Sequence, residues 1–445
     1  MRIFKSSIIL SMIFATAISL AACGEKVSEK NKEEVSVHTE IPDNKENDEK
    51  QQNKEDSYEQ TLFDNSRVHT VNIDISKENW DDLLENYLDK TKYEADITID
   101  GEKIKRVSFS TKGNSSLKFA ENNRYSFKVN FGKFVDGQTY KGLDKLHLNN
   151  AFGDRAYMKD YISYEIFKNT GVKAPLFSYV WLTINGKDYG LYIAIEEIGE
   201  SFLKRTSNGE GKLYKPKTEN INDHIKGEDL VYTDDNIDSY TGIFNHDVTA
   251  VTEKDNLTVI NDLKGLAQGD NLNDFIDTDE VIRYFAAHNF VLNYDSYTGV
   301  MIRNYYLYLN NGKLSMLPWD YNNSFGKLSS VDKDNYTSGE LGKSITEPLK
   351  GSAEQMRPMW SWIVSDKKYK EQYYKVYDEL LKDYFESGKC SKDIDDIYKM
   401  IRPFVEKDPT TNVTAEEFDN ACDLLKDLTT YRAKAIRSQI SEKGK

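Results

Sequence analysis

The sequence predicts an α+β fold: a strand-rich part over residues 61 to 200, then a helix-rich part over 201 to 445. Three observations carry this. Between His69 and Glu197, alternating apolar runs flank Asp-Gly and Asn-Gly dipeptides, the mark of hairpins with two-residue turns. One helical pattern, "DRAYMKDYISYEIFKNTG" at 154–171, interrupts these strands. Beyond residue 270 the chain turns mostly helical.

The elements follow in order. Met1 to Lys5 is a short basic start, and the apolar run Ser7–Leu20 is too short for a stable membrane span. It ends in Leu20-Ala21-Ala22-Cys23-Gly24, which resembles a bacterial lipobox. Residues 1–22 are then a signal peptide and Cys23 the lipidated first residue of an extracytoplasmic protein. That protein is anchored to a bacterial cell membrane through this lipid only, because no other segment can span. Residues 24–60 are Lys, Glu, Asn, Asp and Gln with almost no apolar content. Such a stretch cannot bury enough surface to offset its ordering entropy, so residues 23–60 form a disordered, lipid-tethered arm.

Hairpin turns fall at Asp100-Gly101 in "YEADITIDGEKIKRVSFS", Asn185-Gly186 in "VWLTINGKDYGLYIAI", and Asn311-Gly312 between "VMIRNYYLYL" and "KLSMLPW". Asp154 is placed to cap the 154–171 helix and Gly171 to end it. Residues 206–270 are polar and irregular and read as an insertion. Asp277 with Glu280 opens a helix towards Asn289, and Thr414 with Glu417 forms a capping box before a long final helix. Cys390 and Cys422 belong to no CxxC pair. Cys422 shares a helical stripe with Phe418 and Leu425 and reads as a buried thiol, with a 390–422 bridge as the alternative.

Charge and motifs narrow the chemistry. A formal net charge of -15 argues against nucleic-acid binding, which needs a basic footprint, and suits a basic protein or peptide partner. The six histidines show no HExxH spacing, and there is no GxSxG elbow and no Walker A sequence. Lys112-Gly113-Asn114-Ser115-Ser116 follows a strand, where it reads as an ordinary polar turn or a phosphate-contacting one.

The third hairpin is more informative. A two-residue turn at Asn311-Gly312 pairs residues whose numbers sum to 623. Asn304 then lies across from Trp319, one step from Asp320, and Asp295 lies nine residues before Asn304. Asp295, Asn304 and Asp320 can thus converge at one end of the hairpin. Their oxygens are hard ligands that suit Mg²⁺. The alternative is a cluster of turn and capping residues. In the first half, Met158, Tyr161, Ile162 and Ile166 form an apolar helical stripe that includes Glu165. A carboxylate facing the core needs a partner. Lys128, on the strand face opposite Phe127 and Val129, is a candidate for that partner.

The motifs "KGNSS", "YSFKVNF", "YKGLDKLHLNN", "MKDYISYEIFKNTGVKAPLFSYVWLTINGKDYGLYIAIEEI", "GKLYKP", "NYDSYTGVMIRNYYLY" and "LPWDYNNSFG" occur in that order over about residues 105 to 330. Together they resemble the spore coat protein H (CotH) kinases, atypical protein-kinase-like enzymes. The resemblance implies a reduced kinase fold with a strand-rich ATP lobe and a helical lobe. It implies that Lys128 holds the ATP phosphates, that Glu165 is its helix partner, and that Glu196 and Glu197 end the strand at the adenine-binding hinge. It makes Asp295 the catalytic-loop aspartate and Asn304 and Asp320 the Mg²⁺ or Mn²⁺ ligands, with Asn322 able to coordinate through its carbonyl. This chain departs from the family pattern at Lys112, Arg303 and Asn322, where arginine, histidine and aspartate are common.

The function expected on this basis is Mg²⁺/ATP-dependent phosphorylation of serine or threonine in a basic or Ser-rich protein substrate. The alternatives are a non-catalytic surface-binding or adhesion lipoprotein on the same scaffold, and a nucleotide-binding pseudokinase.

Overall fold

In the computed structural model, Asp100 and Gly101 take φ of 49° and 91°, Asn185 and Gly186 51° and 73°, and Asn311 and Gly312 50° and 70°. Positive φ at both central residues is what a two-residue hairpin with native twist requires. All three expected hairpins form. The structure describes residues 56–218, 225–269, 271–326, 328–349 and 357–442. The signal segment, Cys23 and residues 24–55 of the expected arm lie outside the described residues.

Seven strands close into a barrel: β1 (Val68–Ile75), β2 (Tyr93–Ile99), β3 (Glu102–Lys112), β4 (Ser126–Asn130), β5 (Lys145–Asn149), β6 (Phe177–Ile184) and β7 (Lys187–Glu196). Their order around the barrel is β1-β2-β3-β4-β5-β7-β6, and parallel pairing of β1 with β6 closes it. Closure removes the unpaired edges that an open sheet exposes. Phe109, Phe127, Val129, Leu146 and Leu148 alternate inward and are wholly buried, so the barrel is filled by side chains. Helix α1 (Lys77–Glu85) packs Leu83 and Trp80 against the barrel core, and α2 (Lys159–Asn169) lies between β5 and β6 in the chain.

The fold begins before residue 61. Tyr58, Leu62 and Phe63 are buried, and Tyr58 Oη donates to Glu196 Oε1 at 2.7 Å. The arm's boundary at residue 60 is corrected accordingly: these apolar side chains are enough to bind its last residues to the barrel. Helix α2 also starts later than its pattern, at Lys159, because Tyr157 takes φ 57° and breaks the helical path. Asp154 caps from further back, accepting from the Lys159 amide at 2.7 Å.

The helical part carries a second sheet, in the order β10-β9-β8, built from β8 (Lys212–Tyr214), β9 (Tyr305–Asn310) and β10 (Lys313–Pro318). The helical part also carries α3 (Glu200–Ser207), α4 (Glu253–Gln268), α5 (Thr278–Val291), α6 (Pro358–Ser365), α7 (Lys367–Leu380), α8 (Lys389–Lys407) and α9 (Ala415–Glu442); α4 and α5 pack on β10, and α8 touches β7 of the barrel. The 206–270 segment is therefore no mere insertion. It supplies β8, buries Leu213, Tyr214, Tyr240 and Ile243, and forms α4 behind a Thr252–Asp255 capping box. The expected caps at Asp277 and at Thr414–Glu417 are present. Cys390 and Cys422 are buried free thiols, so the bridge alternative falls. Among the described residues no helix is long and apolar enough to cross a membrane.

One buried ion pair ties the barrel to the helical part. Arg124 Nη1 lies 2.9 Å from Asp408 Oδ2, and Asp408 also accepts from the amides of Leu191 at 2.8 Å and Thr410 at 2.9 Å. Gly190 makes room for it: a Cβ there, at φ 112°, would stand 2.1 Å from Asp408 Oδ1. Removing one partner leaves a buried charge without compensation. Asp408→Ala is therefore expected to cost about 3–5 kcal/mol of unfolding free energy in a denaturant titration. A loss below about 1 kcal/mol would mean that the junction is wet and the pair dispensable.

Candidate active site

The outward face of β3, β4 and β5 carries polar residues where the inward face carries the barrel core. Ser110 pairs with Lys128, and Lys128 with His147, across neighbouring strands. Lys112 follows two residues after Ser110, on the same face. Lys128 and His147 converge on Glu197, just past the end of β7: Lys128 Nζ is 2.5 Å and His147 Nε2 2.8 Å from Glu197 Oε2. Burial and the nearby Lys112 push the His147 imidazole down to about 3, so it is neutral and donates from Nε2. Burial alone would raise the Glu197 carboxyl. The His147 hydrogen bond, with Lys128 and Lys145, outweighs burial and holds it well below the usual carboxylate range.

The partner expected for Lys128 is thus corrected. Glu165 instead binds Lys168 on its own helix, at 2.7 Å. The helix turns Asp160, not Glu165, into the interior. Glu196, placed with Glu197 at the hinge, points to the other face. It is fully buried and bound by Arg205 Nη2 at 2.6 Å, by Tyr58, and by the Leu176 amide at 3.0 Å. Those bonds use both its oxygens.

The β9–β10 hairpin keeps the expected register, from Lys313↔Asn310 to Pro318↔Tyr305. Asn304 and Asp320 therefore lie just beyond its open end, with Asp295 beside them. Asn304 Nδ2 donates to the Asp295 carbonyl at 2.8 Å and to its Oδ2 at 3.2 Å. Arg303 grips Asp295 Oδ1 at 2.6 Å. Burial raises the Asp295 carboxyl; Arg303 opposes that, and Asp320 adds to it. Asn322 Nδ2 donates to the Phe152 carbonyl at 3.2 Å. Leu292, Ile302, Asn304, Asp320 and Phe325 all take positive φ, between 46° and 59°. Left-handed backbone at Leu and Ile is costly, and such clustering is typical of functional sites.

Helix α2 holds the Asp320 backbone. The Asp320 amide donates to Tyr164 Oη at 3.2 Å, and the Tyr321 amide to Asp160 Oδ1 at 2.7 Å. Burial and the Asp320 charge push the Asp160 carboxyl up to about 8. Asp160, His147 and Lys215 went unread in the sequence. Alternation on β4 and β5 was the available signal for His147. Arg432 on α9 is another such residue: it is fully buried and donates to the carbonyls of Asn289 and Phe290, at the end of α5 that feeds the Asp295 loop.

A hard cation needs free oxygens. The Asp320 carboxylate has no hydrogen-bond or ion-pair partner among the described residues, while its amide and carbonyl are bonded. Asn304 and Asn322 spend their NH₂ groups on protein acceptors, which leaves their Oδ1 atoms as donors of lone pairs. This set fits Mg²⁺, which takes few protein ligands and leaves the rest to water and phosphate. Among the described residues no three His, Cys, Asp or Glu side chains gather into a metal cage.

A family model described as CotH kinase protein matches residues 109–436, and the chain belongs to that family, whose function is kinase-like. The inner spore coat protein H of Bacillus subtilis (strain 168) is 22% identical over 314 residues, covering 69% of this chain and 82% of that protein. A crystal structure of the Helicobacter pylori proinflammatory kinase CtkA covers 72% of this chain and 98% of its own, with 11% identity. Its TM-score is 0.32, too low to carry weight here.

Proposed function

We propose that the chain is an atypical protein kinase that transfers the terminal phosphoryl group of Mg²⁺–ATP to serine or threonine of a protein substrate. The observation that carries this reading is the pairing of two half-sites. Lys128, braced by Glu197, faces from the barrel, and Asp295, Asn304 and Asp320 stand at the open end of the β9–β10 hairpin. In this reading Lys128 binds the nucleotide phosphates, and Asp320, Asn304 and Asn322 hold the metal. Asp295 orients the substrate hydroxyl and accepts its proton. Bound magnesium would supply charge neutralisation at the transferred phosphoryl group, and the protein contributes mainly positioning and fixed charge. The family membership supports a protein substrate, the acidic chain suits a basic one, and a Ser-rich one would offer many acceptor hydroxyls. The test is transfer of labelled phosphate from ATP to serine or threonine by the purified protein, with magnesium and with manganese.

The second reading is a surface-binding or adhesion lipoprotein without phosphoryl transfer. One observation favours it: the Arg303 guanidinium occupies the Asp295 oxygen that a substrate hydroxyl would approach. If neither metal supports transfer and Arg303→His does not restore it, the kinase reading falls; calorimetry with Mg²⁺–ATP then separates this second reading, which predicts no binding, from a pseudokinase, which predicts binding. Both readings include a lipid anchor at Cys23, outside the cytoplasm. Cys23→Ser should then move the protein from the membrane fraction to the soluble fraction, and unchanged retention would remove the anchor.

A further inference from the structure

Among the described residues, two lysines near Lys128 and Asp320 form no salt bridge. Lys112, at the end of β3, donates to Asn149 Oδ1 at 2.5 Å and lies 5.8 Å from the centre of the Trp319 ring. Lys215 lies 4.5 Å from the same ring and 4.8 Å from that of Tyr306. Strand register explains its position. Tyr214 pairs with Leu307, so the next residue, Lys215, comes opposite Tyr306 at the mouth of the β9–β10 hairpin. Neither ammonium forms a salt bridge among the described residues, although both are only partly exposed. Lys128, by contrast, is paired with Glu197. Both unpaired lysines sit close enough to feel Glu197 and Asp320.

Partly buried cations that repel one another are costly unless an anion compensates them. An aromatic face offsets only part of that cost. Glu197 and Asp320 offset part of the rest, and an anion with several negative oxygens bound between Lys128 and Asp320 would offset more. We propose that Lys112 and Lys215, both set against Trp319, form a second cationic grip for the terminal phosphates of the bound nucleoside triphosphate, beyond the grip of Lys128. This rests on the nucleotide reading above. It also accounts for Trp319, because the ring immediately before Asp320 fixes where the two cations stand. The 206–270 segment gains a function as well, since β8 delivers Lys215 to this site.

The experiment compares Mg²⁺–ATP and Mg²⁺–ADP binding by calorimetry for the parent protein, Lys215→Met, Lys215→Arg, Lys112→Met and Lys128→Met. Methionine keeps the stem over the aromatic rings and removes the charge. Lys215→Met and Lys112→Met are each expected to weaken ATP on the order of tenfold while changing ADP much less. Lys215→Arg should restore most of the loss. Lys128→Met should weaken both nucleotides. The melting temperature of ligand-free Lys215→Met should stay level or rise, because an unpaired cation has gone; a purely structural lysine predicts a fall. Should Lys215→Met not fold, Lys112→Met carries the same comparison. If the two methionine variants keep the parent's preference for ATP over ADP while Lys128→Met loses both nucleotides, the second grip is wrong and the nucleotide reading stands. If the parent binds neither nucleotide, both fall.

Discussion

Asp320→Asn is expected to abolish most phosphoryl transfer while leaving the ligand-free fold as stable as before. Asparagine tolerates the left-handed backbone at this position, where φ is 58°, as well as aspartate does. The two amides held by Tyr164 and Asp160 are backbone groups, so they keep their partners. What is lost is one negative charge on a carboxylate that no protein group engages among the described residues. Removing such a group from a phosphoryl-transfer site costs on the order of 10²-fold or more in rate. The ligand-free melting temperature should stay level, because Asp160 loses a repelling neighbour while Lys112 and Lys215 lose an attracting one. The stabilisation that Mg²⁺–ATP gives the parent should shrink, since only a ligand that binds the folded state raises stability. A structural aspartate predicts the opposite pair of results: early melting and full stabilisation by Mg²⁺–ATP. Melting curves of both proteins with and without Mg²⁺–ATP, beside a phosphorylation assay, decide between them.

The half of this site on the hairpin was legible in the sequence for a physical reason. A two-residue turn fixes register, and register fixes which residues meet at the far end. Hence Pro318 pairs with Tyr305, and Asn304 and Asp320 share one end. The barrel half was less legible. The pairing of Lys128 with Glu197 reaches across β5 from β4 to the end of β7, and nothing local in the chain encodes the β5–β7 pairing, which skips α2 and β6. Helical spacing put Glu165 in the apolar stripe, yet a partner three residues away, Lys168, takes it in a half-buried pair on its own helix. Asp160 was hidden by the same stripe: it faces inward because Tyr321, distant in sequence, offers it an amide. Lys215 was hidden because β8 is three residues long and pairs with a strand more than ninety residues on. Periodicity cannot register a strand that short.

Lys128→Met tests the corrected barrel half. The side chain is 34% exposed, and its Nζ sits 2.5 Å from Glu197. Glu197 is buried, but His147 and Lys145 remain beside it when the Lys128 charge goes, so the variant should fold and lose only about 1–3 kcal/mol. Glu197 keeps the His147 hydrogen bond at 2.8 Å, which limits the damage further. Phosphoryl transfer should nevertheless fall on the order of 10²-fold or more, because a fixed cation at the phosphates is an electrostatic group that water does not replace. The carboxylates then separate the two possible braces. Glu197→Gln removes the charge that holds Lys128 in place and should cost on the order of tenfold in rate. Glu165→Gln disturbs only the contact with Lys168 and should leave the rate within a few-fold of the parent. Rates for the three variants under saturating and limiting ATP are the measurement. If Glu165→Gln is as damaging as Lys128→Met while Glu197→Gln is silent, the helix carboxylate is the brace during turnover, and the Lys128–Glu197 pair belongs only to the ligand-free protein. If all three variants match the parent, Lys128 is a surface lysine and the barrel face takes no part in phosphoryl transfer.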